Sequence, residues 1–380
     1  MNFRQNIVFN IMRVVRFFVI LIIAFIFSSC GAAWRILIYN EAELDDYKKF
    51  PGRLICKGDY TFHFFEKNAV NKLSCNIPAE LNPGTQKSFE DILKLDKTVA
   101  FLMIRNDTIV YENYFDGYSK SEIINSFSIS KSFVSLLAGI AISEGYIKNV
   151  RVKITDYIPE LKRQGFDKIT VEHLLNMCSG IKFNDGVLIP YTNIATYYYG
   201  EHLISYLRHL KTKAEPGIKF EYKDVNTLLL SIIISRATGR TLSEYMQEKI
   251  WVPMGMESDA KWIIDNRKNG IERSFCCMNA IARDYAKMGR LCLNKGKWNG
   301  KQVVSGEWIE KCSHQTIPGM DKYSYHFWLY KKDTYFAYGY RGQFVFINPK
   351  TNTIIVRIGD KEKKVNWSEL LYYLSEQKSY

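Results

Sequence analysis

Two blocks of β-forming sequence lie far apart in this chain, and a sheet assembled from both ends accommodates them. The first, TVAFLMIRNDTIVYENYF (98–115), is two β-rich runs joined at Asn106-Asp107, which predicts a hairpin. The second comprises HFWLYKK (326–332), TYFAYGY (334–340), GQFVFINP (342–349) and TIIVRIG (353–359), successive antiparallel strands with turns at Asp333, around Arg341 and at 349–352. Between the blocks the chain turns largely helical: VEHLLNMCSG (171–180) closes at Gly180 and VNTLLLSIIISRATG (225–239) at Gly239, with a tyrosine-rich loop, YTNIATYYYG (191–200), between them. An amphipathic helix from Arg283 to Leu293 leads back to the strands, and a last helix near Trp367–Gln377 packs on them. The expected class is therefore α+β, an antiparallel sheet flanked by helices with an inserted all-helical subdomain. At 380 residues the chain exceeds what one core usually serves. We expect an export segment (1–35), an N-terminal appendage (36–85) with one strand at 60–67, a sheet subdomain (86–155 and 260–380) and a helical subdomain (156–259).

Chemistry is suggested where the first block meets the helices. FSISKSFVSLLAGIAISEG (127–145) has helical apolar spacing at Phe133, Leu136, Leu137 and Ile140, and its mouth carries Ser128 and Lys131. Residues three apart lie about 60° apart around a helix, so hydroxyl and amine can share one pocket. Burial by the apolar face would disfavour the charged form of Lys131 and prepare it as a base. Backbone N–H groups at the helix start favour negative charge near Ser128. The Ser-x-x-Lys pattern recurs at Ser179/Lys182 and Ser258/Lys261, but Ser179 sits at a helix end and Ser258 in a polar loop. Only Ser128 begins an apolar helix.

The pattern resembles the serine β-lactamase and penicillin-binding-protein superfamily, within it the class C β-lactamase-related branch of esterases, D-peptidases and 6-aminohexanoate-dimer hydrolase. Further segments match in order. TVEHLLNMCSGI (170–181) is similar to that branch's helix ending in a Ser-Gly turn, and Pro216-Gly217 followed by Phe220-Glu221-Tyr222-Lys223-Asp224 to its second motif. Gly339-Tyr340-Arg341-Gly342-Gln343 is similar to its glycine-containing third motif. The resemblance implies a β-lactamase/transpeptidase-like fold and an acyl-enzyme on Ser128, with Lys131 and Tyr222 moving protons. It implies an oxyanion hole from the N–H groups of Ser128 and Gln343, such donors being worth roughly 2.7–4 kcal/mol each. Gly342 would let an acyl group approach the strand. Two departures bear on substrate. Asp224 stands where asparagine is usual, still accepting from Lys131 but adding charge. Tyr340 stands where a lysine or histidine commonly holds a substrate carboxylate, and Arg341 beside it would face the other side of a strand. Both weaken a β-lactam or D-alanyl reading, while Tyr197, Tyr198, Tyr199 and Trp328 favour an apolar or amide-bearing acyl group. A peptidoglycan peptidase or β-lactamase and a non-catalytic sensor on the same fold remain the alternatives.

The N-terminus bears on location. Residues 1–35 contain Arg4, Arg13, Arg16 and Arg35, no acid, and an uncharged run from Phe17 to Trp34. This reads as an export signal, whose Phe27-Ser28-Ser29-Cys30 end resembles a lipoprotein site with Cys30 lipidated, or as an uncleaved anchor. Either places the catalytic part outside the cytoplasm, attached to the membrane. The net charge of +13 is spread along the chain and interleaved with acids, without a basic stripe, so no nucleic-acid partner is expected. The eight cysteines lack metal-binding spacing, so neither metal nor cofactor is expected, and a Cys56–Cys75 disulfide is the pairing an oxidising compartment suggests.

Overall fold

The computed structural model describes residues 12–17, 35–36, 38–39, 41–66, 73, 76–82, 88–163, 165–186, 192–362 and 364–377. Cys30, Cys75 and most of the uncharged N-terminal run lie outside them. Among the described residues no helix is long and apolar enough to cross a membrane.

The hairpin forms as its sequence predicts: β3 (Thr98–Arg105) and β4 (Thr108–Tyr114) are joined through Asn106 and Asp107, both at positive φ. The distant block supplies β8 (Tyr323–Ser324), β9 (Phe327–Leu329), β10 (Tyr335–Gly339), β11 (Gln343–Asn348) and β12 (Thr353–Gly359). β12 pairs antiparallel with β3, Val356 opposite Leu102 and Ile355 opposite Met103, so among the described residues the two ends close one eight-stranded sheet in the order β8-β9-β10-β11-β12-β3-β4 followed by a short strand at 65–66. β2 (Phe65–Glu66) adds the one parallel edge.

Both faces of this sheet are covered, which explains its continuous apolar runs. Ala100, Leu102 and Ile104 point into the core beneath helices α2 (Ile129–Ser143) and α6 (Ala282–Leu293). The alternate residues Phe101 and Met103 face α1 (Phe89–Leu95) and α7 (Trp367–Glu376). A smaller sheet, β1-β6-β7-β5, joins β1 (Gly52–Ile55), β6 (Ala260–Ile263), β7 (Met278–Ala280) and β5 (Ile124–Asn125) beside the start of α2. The segment read as an appendage thus contributes a strand to each sheet. Of the strand expected at 60–67, Phe65 and Glu66 alone are paired among the described residues.

The middle of the chain is built on two enclosed helices. α2 is buried on every side from Ile129 to Ala141, and α5 (Asp224–Thr238) from Asp224 to Ile234, before Gly239 ends it in the left-handed region. α3 covers only Val171–Leu175, and the remainder of the predicted helix is a turn with Met177 and Gly180 at positive φ. The tyrosine-rich segment is not a loop: it forms α4 (Asn193–Tyr199), because Thr192 caps it by accepting from Ala195 N–H at 3.3 Å and no Gly or Pro interrupts it.

Candidate active site

The chain leaves β5 and turns sharply into α2 at Phe127, whose φ of 44° is in the left-handed region. A bulky residue there costs of order 1–3 kcal/mol, and the turn is tied by its neighbours. Phe127 N–H donates to Asn125 Oδ1 at 3.0 Å, and Ser130 Oγ donates to Phe127 O at 2.7 Å. Ser128 follows at the helix N-cap. Its hydroxyl makes no capping bond and instead accepts from Lys131 Nζ at 2.7 Å.

Lys131 is 1% exposed, as the apolar helix predicts, and all three of its donors are engaged. Besides Ser128 Oγ, Nζ meets Phe275 O at 2.6 Å and Asp224 Oδ1 at 2.6 Å. Asp224 opens α5, where the helix N-terminus also favours its charge. Its N–H donates to Asp185 Oδ2 at 2.9 Å, while Asp185 Oδ1 is buried with no partner among the described residues. Burial, then the charge of Asp224, push Asp185 up to about 8, with Lys131 working the other way. Two carboxylates therefore share the surroundings of one buried ammonium.

Tyr222 hydrogen-bonds Ser128, and its ring lies under Lys131 Nζ, 4.9 Å from the centroid. Trp328 stacks on that ring at 5.7 Å and Tyr323 meets it edge-on at 5.9 Å. Burial and the charge of Asp224 hold its phenol well above the ordinary range, so Tyr222 stays neutral. The second motif is docked by the Ser-Gly turn: Glu221 N–H donates to Met177 O, Gly217 N–H to Cys178 O, and Lys223 Nζ to Ile181 O at 2.6 Å.

The third motif lies differently from expectation. Gln343, whose N–H was expected in the oxyanion hole, begins β11, fully buried, its side chain bonded to the N–H and O of Gly359, and it is not among the residues that line the cavity. Gly342 is at φ 79° with the Arg357 guanidinium behind it, where a Cβ would sit 2.1 Å from Nη1, so its form serves the turn and leaves no room for an acyl group. The glycine beside Ser128 is Gly339. A Cβ there would lie 2.6 Å from Ser126 O and 3.1 Å from Ser128 N, so only glycine lets β10 reach the start of α2. Tyr340 follows it at the cavity rim, donating to Glu41 Oε1 at 2.8 Å, while Arg341 turns away to Asp360 and Ala42 O.

A cavity of about 790 Å³ opens over Ser128. Ser128, Tyr222, Asp224, Tyr198, Trp328 and Tyr340 line it, whereas Tyr197 and Tyr199 belong to the core. Glu41, Ala42, Asp185 and Cys276 are among the contributors that sequence reasoning missed. No motif marks them, although Asp185 lies just beyond the Ser-Gly turn. Cys276 is bonded to Cys277, while Cys56 is an exposed free thiol, contrary to the disulfide anticipated for it. The other two Ser-x-x-Lys pairs are structural: Ser179 Oγ donates to Asn226 Oδ1, and Lys261 Nζ to Tyr47 O. Among the described residues the carboxylates able to converge on a cation are Glu43, Asp45 and Asp46, and Asp46 already accepts from Lys49 and Tyr198.

Residues 94–366 match the Beta-lactamase family over most of the chain. The chain belongs to the beta-lactamase family. Within it, the chain is 26% identical over 285 residues to the 6-aminohexanoate-dimer hydrolase of Paenarthrobacter ureafaciens, covering 69% of this chain and 72% of that protein. A solved structure from Bacillus anthracis, provisionally assigned as a 6-aminohexanoate-dimer hydrolase, superposes with a TM-score of 0.76 at 25% identity, covering 90% of this chain and 92% of that one. The octameric penicillin-binding protein homologue of Pyrococcus abyssi shares the fold, with a TM-score of 0.61, 20% identity and 75% of each chain covered. The beta-lactamase-family assignment agrees with the β-lactamase/transpeptidase-like α+β architecture expected from the sequence.

Proposed function

We propose that this protein is a serine hydrolase that cleaves an ester or amide through an acyl-enzyme on Ser128. The observation that carries the reading is the convergence of buried Lys131 with Ser128, Asp224 and Tyr222, the last three of which line one cavity. Lys131 Nζ first gives a proton to Asp224 Oδ1, and Ser128 Oγ then attacks the carbonyl carbon as its own proton passes to the amine so freed. The oxyanion accepts from the N–H groups of Ser128 and Tyr340, the latter replacing Gln343 because Gly339 is the glycine packed on the nucleophile. Tyr222, a neutral phenol, protonates the departing amine or alkoxide. Water then attacks the acyl group and returns a proton to Tyr222, and Lys131, recharged from Asp224, returns one to Ser128. No metal or organic cofactor enters this scheme.

A peptidoglycan D-Ala peptidase or β-lactamase is the second reading. Tyr340 occupies the place of the usual cation at the cavity rim, so a substrate carboxylate would lack its customary partner. The relative named for 6-aminohexanoate dimers supports an amide or small peptide substrate. We further propose, from the sequence of residues 1–35, that the protein is exported and stays membrane-attached through Cys30 or an uncleaved anchor. Reaction of the full chain with a fluorophosphonate and a fluorescent penicillin, followed by peptide mapping, tests the enzymatic reading. Fluorophosphonate labelling of Ser128 that disappears in Lys131→Ala supports it, penicillin labelling favours the second reading, and no adduct on folded protein overturns both. Loss of fatty-acid incorporation in Cys30→Ser tests the lipid anchor.

A further inference from the structure

The wall of the cavity holds a bond between neighbours in sequence, Cys276 to Cys277. Adjacent cysteines can join only by closing a small ring that includes their shared peptide, so the bond stiffens one short stretch of backbone and links no distant parts. That stretch is the one on which the site leans. Phe275, immediately before the ring, offers its carbonyl to Lys131 Nζ at 2.6 Å. Immediately after it, Met278 O accepts from Ser126 N–H at 2.8 Å, bracing the turn that presents Ser128. The ring is gripped from outside as well. Trp262 Nε1 donates to Cys276 O at 3.0 Å, Asn279 Nδ2 to Cys277 O at 2.9 Å, and Ile263 N–H to Cys277 O at 3.0 Å. Cys277 is at φ 71°, a conformation unfavourable for a residue with a side chain and readily lost once a constraint is removed.

We propose that the Cys276–Cys277 disulfide is a positioning element for Lys131, and that its reduction by a dithiol lowers turnover at Ser128. The inference rests on the hydrolase reading above. Cys277 is fully buried and Cys276 is 5% exposed, with its exposed part in the cavity, so a small reductant reaches the bond from the substrate side. In the reaction one reductant thiolate attacks a protein sulfur, and the second displaces the mixed disulfide. The dithiol leaves as its own disulfide, having given two electrons and two protons to Cys276 and Cys277. The freed backbone relaxes at Cys277, the Phe275 carbonyl swings from Nζ, and the ammonium loses one of its three acceptors. Displacements of about 1 Å in such a group lower turnover up to about a hundredfold.

The test uses the full chain in a Cys56→Ser background, which removes the exposed thiol. Alkylation in denaturant without reductant should leave the 276–277 peptide unmodified, and its alkylation there would overturn the proposal. Hydrolysis of p-nitrophenyl acetate and the rate of fluorophosphonate labelling are then followed before dithiothreitol, after it, and after reoxidation. The expected result is a fall in kcat of about tenfold or more with KM little changed, recovery on reoxidation, and slower reduction when the cavity is occupied. Thermal melts of the reduced protein establish that it is folded. The Cys276→Ser/Cys277→Ser double variant should have the reduced protein's rates and ignore dithiothreitol. Unchanged kcat in folded, fully reduced protein overturns the proposal. Ser128 that never labels in oxidised protein counts instead against the hydrolase reading, so the two failures are distinct.

Discussion

Lys131 and Asp224 meet at 2.6 Å where two enclosed helices come together, one supplying the ammonium and the other beginning with the carboxylate. Each is costly to bury alone, and the pair is tolerable because Ser128 and Phe275 complete the lysine's hydrogen bonds. Asp224→Ala should therefore lower stability by about 3–5 kcal/mol, whereas Asp224→Asn, which keeps an acceptor, should lower it much less. Urea unfolding of both, and of Lys131→Met/Asp224→Ala, checks this. The double variant should recover part of the loss, and additive losses would show that the two residues are not coupled.

Tyr222→Phe keeps the ring packed between Lys131, Trp328 and Tyr323 and removes only the hydroxyl. The melting temperature should be nearly unchanged while kcat falls by about 10²–10⁴-fold, the usual contribution of a general acid. Steady-state hydrolysis beside a thermal melt separates the effects, and a small kcat change would remove Tyr222 from the proton path.

Gly339 and Gly342 should fail differently. Gly339→Ala pushes a methyl against Ser126 O and Ser128 N, so fluorophosphonate labelling should fall steeply in folded protein. Gly342→Ala meets the Arg357 guanidinium at a positive φ, so its main effect should be on stability. Labelling rates and melts of both report the contrast, and equal labelling would weaken the place given to Tyr340 N–H.

Asp185 gives a pH signature. Its folded-state value of about 8 lies above its ordinary 3.8, so between those limits the folded chain binds a proton that the unfolded chain has lost. Its contribution to stability is complete below 3.8 and is lost as pH rises through about 8. Asp185→Asn should remove this downward slope and gain most at the alkaline end. Melting temperatures across that range decide it, and an unchanged slope would show that Asp185 is ionised in the folded protein.

Much of the fold was legible because the central strands of the main sheet are buried on both faces, leaving apolar runs such as 99–104 and 344–347. Ser128, Lys131 and Tyr222 were legible because their motifs precede or follow recognisable helices. The third motif was not, because its two glycines look alike in sequence and differ only in what stands behind them: Ser126 and Ser128 for Gly339, Arg357 for Gly342. Asp185, Glu41 and Cys276 reach the cavity through long-range packing with no local pattern. The helix at Asn193–Tyr199 was hidden by its tyrosines, although Thr192 marked its start.

The pairing of β12 with β3 has a consequence for biosynthesis. Residues 98–105 leave the ribosome well before 353–359, yet they are neighbours in the finished sheet. Until residues 353–359 emerge, the inner edge of β3 has no lasting cover. The nascent protein should thus carry all three candidate catalytic residues and no activity, with a strong demand for chaperones late in translation.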